Sequence, residues 1–387
     1  MSFFDGRFYI QAAAASGTEA VLKREISDLG YSPSGAEYGR IRFEGDMRDA
    51  ARANVFLRTA GRVRIELARF PARSFDELYD GVRALPWAEI LPKSAALTVT
   101  ARSIHSELFS LSDIQRITKK AAADKLCAAY GLSRLPEDGV TYSLEAGIAD
   151  DVATLALDTS GEGLHKRGYR VIVGDAPIRE TLAAAIILMS VWRGDRPFAD
   201  PFCGSGTLPV EAAMIATNTA PGAARSFAFE KFALAPTVLP SVREEARSLA
   251  DLSAKTDISA SDISPAAVKT AQKHASRAGM DKFVRFSVGD VKNFSSSLSH
   301  GVLFANPPYG ERLMKPRELE RLYRDFGRAF AALDEWSAYV ITSFYAFEKF
   351  FGRRADKRRK LYNSEIECQL FRFLGAPPPR GNGREPI

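Results

Sequence analysis

Cysteine and histidine are scarce in this chain of 387 residues. The three cysteines, Cys127, Cys203 and Cys368, lie too far apart in sequence to indicate a disulfide framework or a zinc site. None of the four histidines has a carboxylate or cysteine at the spacing of a metal site or a hydrolytic triad. We therefore expect chemistry without a metal and without a cysteine or histidine nucleophile.

Long apolar runs are also missing. Residues Ala12 to Ala15 are soon interrupted by Ser16, Thr18 and Glu19, so they do not form the core of a signal peptide. The longest strongly apolar stretch, Leu182 to Trp192, is shorter than the ~20 residues that a membrane-spanning helix needs. The sequence predicts a cytoplasmic protein.

The chain also has no excess of acidic residues. The chain carries a net charge of +6 and has a pI near 9.1, which suits a polyanionic partner, although this excess is modest for so large a surface. Its length and its 46% of apolar residues allow two or three hydrophobic cores.

Among the features present, Asn306-Pro307-Pro308-Tyr309 is the most informative, because it directly follows the apolar run Val302 to Ala305. An amine conjugated to a base is a poor nucleophile, and the Asn306 carbonyl and a backbone carbonyl beside the prolines can accept its protons. The prolines fix the backbone, and Tyr309 offers a ring on which an extruded base can stack. The stretch indicates methyl transfer to a planar exocyclic amine. The alternative is a plain turn with a half-buried tyrosine.

A candidate cofactor site lies upstream. Pro197 to Asp200 is typical of a strand, and Gly204-Ser205-Gly206 leads into an apolar-periodic helix. Glycines let a ligand approach the backbone at a helix N-terminus, and Asp200 can accept from an ammonium or hydroxyl group. The three spaced glycines of a dinucleotide site are missing, so the pattern does not call for a pyrophosphate.

Two further carboxylates follow predicted strands. Asp262 suits ribose hydroxyls, and Asp290 suits an adenine amino group. Taken singly, each is also explained as a helix N-cap or turn residue. Together with Asp200 and the Asn306 stretch, they fit the ligand-binding edge of a doubly wound sheet. The set favours S-adenosylmethionine as the cofactor.

Strand and helix patterns divide the chain into three parts. Residues 1–65 alternate strand and helix signals, as do residues 66–160, and a third α/β pattern runs to about residue 376. Thr217 to Ser253 is predicted to be an inserted loop and helix, in which Arg225, Phe227 and Phe229 either contact RNA or pack internally. The tail, residues 377–387, is rich in Pro and Gly and is expected to be disordered.

Several motifs resemble those of the bacterial THUMP-domain N2-guanine methyltransferases of 23S rRNA. The segments that carry the resemblance are His165 to Arg170, Ala176 to Thr181, Asp200 to Leu208, Asp262, Asn306 to Arg312, Lys360 to Asn363 and Ile366 to Cys368. The resemblance implies an α/β chain with a Rossmann-like class I methyltransferase domain, which has a doubly wound sheet and a terminal antiparallel hairpin. A ferredoxin-like segment (1–65) and a THUMP RNA-binding module (66–160) precede this domain (161–376).

The resemblance also implies roles for particular residues. Catalysis falls to Asn306, Pro307, Pro308 and Tyr309. The residues expected to bind S-adenosylmethionine are Arg179, Thr181, Asp200, Cys203, Gly204, Ser205, Gly206, Asp262, Ile263, Asp290, Val291 and Asn306. The expected reaction is direct methyl transfer to guanine N2 in 23S rRNA. The alternatives are a tRNA guanine, adenine N6, and a non-catalytic RNA-binding assembly factor.

Basic residues at three places are candidates for contact with RNA phosphates. They are Arg116, Lys119 and Lys120 on a predicted helix, Lys166, Arg167 and Arg170 in the connection to the catalytic domain, and Arg358 and Arg359 in a basic run near the end. The alternative for the first set is a solvated helix face, and for the second a salt-bridged hinge.

Overall fold

A computed structural model describes residues 3–170, 178–232, 235–309 and 316–379. The chain divides into two compact units. The first unit comprises Met1–Ala14, Leu22–Leu164 and Pro221–Ser248, and the second comprises Ala15–Val21, His165–Ala220 and Leu249–Ile387.

Fourteen strands are found in the described residues, in two sheets. The strands are β1 (Phe8–Ala13), β2 (Ala36–Glu37), β3 (Arg40–Gly45), β4 (Arg62–Pro71), β5 (Ala96–Ile104), β6 (Thr141–Ala149), β7 (Val152–Asp158), β8 (Phe198–Asp200), β9 (Ile258–Asp262), β10 (Val284–Val288), β11 (Val302–Ala305), β12 (Ser337–Thr342), β13 (Lys357–Asn363) and β14 (Ile366–Phe373).

Eleven α-helices accompany them in the same described ranges. The helices are α1 (Glu19–Asp28), α2 (Met47–Phe56), α3 (Phe75–Arg83), α4 (Trp87–Ile90), α5 (Leu111–Tyr130), α6 (Glu180–Met189), α7 (Thr207–Ala216), α8 (Ala235–Leu249), α9 (Pro265–Arg277), α10 (Pro316–Ala331) and α11 (Phe347–Phe351). Most of them lie where the apolar periodicity predicts a helix. The single turn α4 was missed, because four residues carry no periodic signal.

The first unit is built on one seven-stranded sheet in the order β2-β3-β1-β4-β7-β6-β5. The strand β4 pairs with β1 on one side and with β7 on the other, both antiparallel. The two N-terminal segments expected from the sequence therefore share a continuous sheet. Buried and less buried side chains alternate along β3 and so mark the two faces of the sheet. Ile41 and Phe43 are buried, whereas Arg40 and Arg42 are only half-buried.

The second unit confirms the doubly wound sheet with a terminal hairpin. Its order is β10-β9-β8-β11-β12-β14-β13, in which the first five strands are parallel and β14 and β13 are antiparallel. Every residue of β11 and β12 is buried, as expected for strands covered on both faces. Phe198 and Phe304 pack in one core, and Leu303 and Phe326 pack in the other.

The inserted segment between Thr217 and Ser253 packs internally. Its residues Pro221–Ser248 belong to the first unit, where Phe229 is 1% exposed and its N–H donates to the Thr159 carbonyl. Arg225 is buried and donates to the carbonyls of Glu162 and Gly163 at 2.7 and 2.9 Å. Of the two interpretations offered by the sequence, the structure shows packing.

Within the described residues, no helix combines the length and the apolar character needed to cross a bilayer. The expectation for the Pro- and Gly-rich tail falls mainly on residues 380–387, which lie outside the described ranges.

Candidate active site

The carboxyl ends of four neighbouring parallel strands meet at one edge of the second unit's sheet. Asp200 ends β8, Asp262 ends β9, Asp290 follows β10 and Asn306 follows β11. Because the strand order is β10-β9-β8-β11, the three acids and the amide follow one another along this edge. The sequence interpretation had expected this arrangement.

Asp200 and Asp262 accept hydrogen bonds from the backbone of the turn between β8 and α7, residues 201–206, which we call the glycine turn. The Phe202 N–H donates to Asp200 Oδ1 at 3.0 Å, and the Gly204 N–H donates to Asp262 Oδ2 at 3.0 Å. Asp200 is 1% exposed, and burial, with a smaller contribution from Asp262, raises its pKa well above the usual range. Asp200 thus organises the turn from inside, whereas the sequence interpretation assigned it only a ligand contact.

The two glycines of the turn serve different purposes. Gly206 has φ +83°, and a Cβ there would lie 2.8 Å from the Ala271 Cβ, so helix α9 packs directly on it. Gly204 has φ +50°, and a Cβ there would meet nothing within 4 Å. The turn is therefore closed on the α9 side at Gly206 and open at Gly204.

His274 of α9 supports the same turn. Its Nδ1 lies 2.9 Å from the Ser205 carbonyl oxygen, and its side chain is buried. Burial lowers the pKa of His274 from its ordinary value. The sequence shows only that this histidine lacks the spacing of a metal site or a triad, and its helical position gives no signal of the contact.

The residues along this edge fit an adenosyl cofactor. Asp262 ends β9 beside the open space at Gly204. The next residue, Ile263, is 68% exposed, and this gives a planar ring an apolar surface beside an acceptor for ribose hydroxyls. Asp290 caps the short helical turn Val291–Asn293, accepts from the Lys292 N–H at 3.1 Å and pairs with its ammonium at 2.9 Å. Its lowered pKa, caused mainly by Lys292, keeps it ionised as an acceptor.

The Asn306 stretch is anchored through its neighbours. Tyr323 of α10 donates to the Pro308 carbonyl at 2.9 Å, and its hydroxyl lies 3.1 Å from the Thr342 hydroxyl. Asn306 is half-buried, and within the described ranges its side-chain amide makes no hydrogen bond to another residue. The Asn306 side chain is therefore available to a ligand. The Pro308 carbonyl, in contrast, already accepts a hydrogen bond from Tyr323.

Tyr309 is placed differently from the sequence expectation. The ring was expected to present a face to a base, but it is only 8% exposed and packs in the core with Leu361 and Leu370. Its hydroxyl accepts from Asn363 Nδ2 at 3.3 Å, and burial raises the pKa of Tyr309 to about 12. Its aromatic character alone does not tell whether the ring faces a ligand or a core.

Asn363 joins this stretch to helix α6. Its Oδ1 accepts from the Arg179 N–H at 3.3 Å, and Arg179 is the N-cap of α6. The neighbouring Thr181 is buried. The structure thus brings the start of α6 to the Asn306 stretch. Of the two supporting residues, Asn363 belongs to a segment that carries the family resemblance, but without a role there, and Tyr323 has no signal in the sequence.

The predicted phosphate-binding residues separate into buried and exposed groups. Arg167 is 4% exposed and pairs with buried Glu211 at 3.4 Å, and Arg170 pairs with Glu180 at 3.3 Å. This burial matches the alternative of a salt-bridged connection, because the charge of Arg167 is neutralised inside the protein.

The remaining basic candidates lie nearer the surface. Arg116, Lys119 and Lys120 pair with Asp113, Glu137 and Asp124, all with partly exposed side chains, and Lys166 is exposed. Arg358 pairs with Glu348, and Arg359 donates to the Gly17 carbonyl at 3.0 Å.

Comparison with family models divides the chain in the same order. Residues 167–372 match the methyltransferase domain described as RMKL-like, residues 10–64 match the RlmL ferredoxin-like domain, and residues 72–158 match the THUMP domain.

Two curated relatives illustrate the similarity. The chain is 41% identical to a Bacillus subtilis protein named as a candidate RNA methyltransferase, YpsC, over 97% of this chain and 98% of that protein. It is 34% identical to ribosomal RNA large subunit methyltransferase K/L of Syntrophotalea carbinolica, over 95% of this chain but only 55% of that protein. The chain therefore spans nearly all of the first relative and about half of the second.

Solved structures show the same fold and a ligand. The crystal structure of SMU.472, named as a candidate methyltransferase in complex with SAH, is 42% identical with a TM-score of 0.88, covering 96% of this chain and 98% of that one. A Listeria monocytogenes structure is likewise 42% identical with a TM-score of 0.90, covering 96% of this chain and 97% of that one, and is named as a predicted N6-adenine-specific DNA methylase.

SAH is what remains of S-adenosylmethionine after methyl transfer, and the residues at the sheet edge fit the adenosyl part of both molecules. The chain therefore belongs to the RMKL-like methyltransferase family: it is an S-adenosylmethionine-dependent methyltransferase that also carries an RlmL-type ferredoxin-like domain and a THUMP domain.

Proposed function

We propose that this chain transfers a methyl group from S-adenosylmethionine to the exocyclic N2 amine of a guanine in 23S rRNA. The observation that carries the proposal is the half-buried amide of Asn306, which makes no hydrogen bond within the described residues and lies at the same sheet edge as Asp262 and the open glycine turn. RNA as the substrate is supported by the THUMP domain and by the relatives named as RNA methyltransferases.

Asn306 has the central role in the proposed mechanism. Its Oδ1 accepts a hydrogen bond from the guanine amine and favours a pyramidal nitrogen whose lone pair points at the methyl carbon. The C–N bond forms as the C–S bond breaks, and the nitrogen then gives its surplus proton to water. S-Adenosylmethionine supplies the methyl group on a sulfonium, which leaves as a neutral thioether.

The other residues position the reactants. Tyr323 fixes the Pro308 carbonyl, so the backbone after Asn306 is set before substrate arrives. Asn363 donates to the Tyr309 hydroxyl and accepts from the Arg179 N–H. These two hydrogen bonds connect the Asn306 stretch, where the target base would bind, to the start of α6. Positioning of this kind supplies much of the acceleration when the leaving group is already good.

A second candidate substrate is adenine N6, which is favoured by the name of the Listeria structure. The Asn306-to-Tyr309 stretch does not distinguish the two bases, because both present an exocyclic amine conjugated to a ring. A guanine in tRNA is a third substrate that the same site chemistry would accept.

The test is mass spectrometry of nucleosides after incubation with isotope-labelled S-adenosylmethionine. The RNAs are size-separated 23S rRNA, 16S rRNA and tRNA from a strain that lacks the gene, and the Asn306→Ala protein gives the background. Label in N2-methylguanosine from 23S rRNA is expected. Label in N6-methyladenosine, or confined to tRNA, would replace the proposed substrate.

A further inference from the structure

The polar face of the first unit's sheet holds a groove lined by arginines. Arg40 and Arg42 on β3, Arg69 on β4 and Arg102 on β5 line it together with Glu145 on β6, and Arg64 on β4 also reaches Glu145. We call these six residues, with Gly147 on β6, the arginine groove. Of these residues, the sequence offers only Arg102 as a candidate phosphate contact, together with Ser103 and His105 after a predicted strand.

Positive charge exceeds negative charge in this groove. The single carboxylate of Glu145 faces three guanidinium groups, at 3.0 Å from Arg40, 2.7 Å from Arg64 and 3.8 Å from Arg102. Arg42 and Arg69 have carboxylates of their own, Glu66 at 2.7 Å and Glu37 at 3.0 Å. Five arginines therefore share three carboxylates, and the excess is concentrated around Glu145.

Three guanidinium nitrogens of the groove lack an acceptor among the described residues. Arg40 Nε, Arg64 Nη1 and Arg102 Nε are all buried and make no hydrogen bond within the described part of the chain. Arg64 is 7% exposed, so its free donor is largely shielded from bulk water. A buried donor without a partner costs stability, and an arriving anion with several acceptor oxygens removes that cost.

The electrostatics agree with this geometry. Burial lowers the pKa of Arg64 to about 10, although Glu145 opposes the shift. The pKa of Arg102 is lowered by burial and by repulsion from Arg40. Both charges are thus under-compensated, and a further negative group would stabilise them.

Gly147 lets the Arg102 side chain lie close against β6. It pairs with Arg102 across β5 and β6, and a Cβ at Gly147 would lie 3.1 Å from Arg102 Nε. The glycine has no positive φ, so a side chain is tolerated by the backbone but would press on the guanidinium.

We propose that the arginine groove binds a phosphodiester group of the RNA substrate, around Arg40, Arg64 and Arg102. This inference rests on RNA being the substrate in the proposed function. The guanidinium groups of these arginines donate hydrogen bonds to the phosphate oxygens, and the contact fixes the RNA on the first unit without reading its sequence.

The test is the salt dependence of RNA binding by the full chain. Filter binding of a 23S rRNA transcript is measured over a series of KCl concentrations for the wild type, Arg102→Gln and Gly147→Val. Arg7→Gln is the matched control, because it removes the same charge from an exposed pair with Glu44 on the same unit. Thermal unfolding of each variant checks that it is folded.

We expect Arg102→Gln to reduce the slope of log K against log[KCl] by about 0.7 to 1 relative to Arg7→Gln. Gly147→Val should weaken binding several-fold without any change of charge. Slopes and affinities equal to the control for both variants would overturn the proposal. If removal of the RNA's 5′-phosphate abolished the difference between Arg102→Gln and the wild type, the ligand would be a terminal phosphate and the phosphodiester proposal would be wrong.

The result is separable from the proposed function. Methylation of 23S rRNA by the wild type, together with slopes and affinities of both variants equal to those of the control, would refute the groove proposal but not the proposed function. A wild type that neither binds nor methylates 23S rRNA would refute the proposed function itself.

Discussion

At the scale of single residues, the target side of the site depends on two buried hydroxyl contacts. Tyr323 holds the Pro308 carbonyl, and Asn363 holds the Tyr309 hydroxyl. The sequence points to Asn306 and Tyr309 through a local motif, but their supporting partners lie 15 and 54 residues further along the chain. Tyr323 has no signal in the sequence, and Asn363 belongs to a segment of the family resemblance that gives it no role. The motif alone does not tell whether the Tyr309 ring faces a ligand, since an aromatic ring also serves as core.

Tyr309→Phe tests whether the Asn363 contact is structural. The change leaves Asn363 Nδ2 without this acceptor, so we expect the free energy of unfolding to fall by about 1 to 2 kcal/mol. A double-mutant cycle with Asn363→Ala, followed by urea unfolding, should give a coupling of at least about 0.5 kcal/mol. Tyr345→Phe, at an 81% exposed tyrosine, should change little. Strict additivity in the cycle would argue against the contact.

His274 gives a prediction about pH. Its pKa in the folded protein is lowered by burial, so the unfolded chain binds a proton more readily than the folded one. The stability that neutral His274 provides is therefore lost as pH falls through the ordinary value of 6.5 towards the lowered pKa.

Urea unfolding at several pH values should show the wild type losing stability relative to His274→Gln below pH 6.5. His105→Gln, at an exposed side chain, is the control. A difference between wild type and His274→Gln that does not vary with pH would show that His274 titrates alike in both states.

At the scale of elements, the parallel strands and the helices beside them follow from apolar periodicity, and their ends follow from Gly and Asp. The turn between β8 and α7 was predicted because its glycines and Asp200 are adjacent in sequence. Its packing was not, because Ala271 and His274 reach it from α9. Contacts between elements distant in sequence leave no pattern in a single chain.

The two glycines of the turn allow a matched comparison. Gly206→Ala should destabilise the protein by about 2 to 4 kcal/mol, from the positive φ and from the overlap with Ala271. Gly204→Ala should cost about 1 kcal/mol in stability but should weaken S-adenosylmethionine binding, since its Cβ enters the open space. Calorimetric titration and thermal unfolding separate the two effects. The reverse ranking, with Gly206→Ala the milder in stability, would contradict this account of the turn.

At the scale of the whole molecule, the order of the domains was predictable, whereas the composition of the first unit was not. Motifs placed the ferredoxin-like, THUMP and methyltransferase segments in their order along the chain. The sequence does not show that Pro221–Ser248 belongs to the first unit. Phe229 and Phe232 are apolar residues that would suit the core of either unit.

A fragment of residues 1–164 should therefore be defective. It lacks Phe227, Phe229 and Phe232, whose burial contributes about 1.5 to 3 kcal/mol each, and Phe232 stacks on Tyr142 at 4.7 Å. We expect a lower unfolding midpoint and binding of a hydrophobic dye. Joining residues 221–248 to the fragment through a Gly/Ser linker should restore cooperative unfolding. A fragment 1–164 as stable as the joined form would show that the insertion adds nothing.

In the proposed reaction, Asn306 acts on the target amine and Asp262 acts on the cofactor. The single-turnover rate of methyl transfer to 23S rRNA by Asn306→Ala, measured alongside its calorimetric affinity for S-adenosylmethionine, separates these two roles. We predict a rate lower by about 100-fold or more with cofactor affinity nearly unchanged, because the lost acceptor acts on the amine. Loss of cofactor affinity with normal residual methyl transfer would contradict the account.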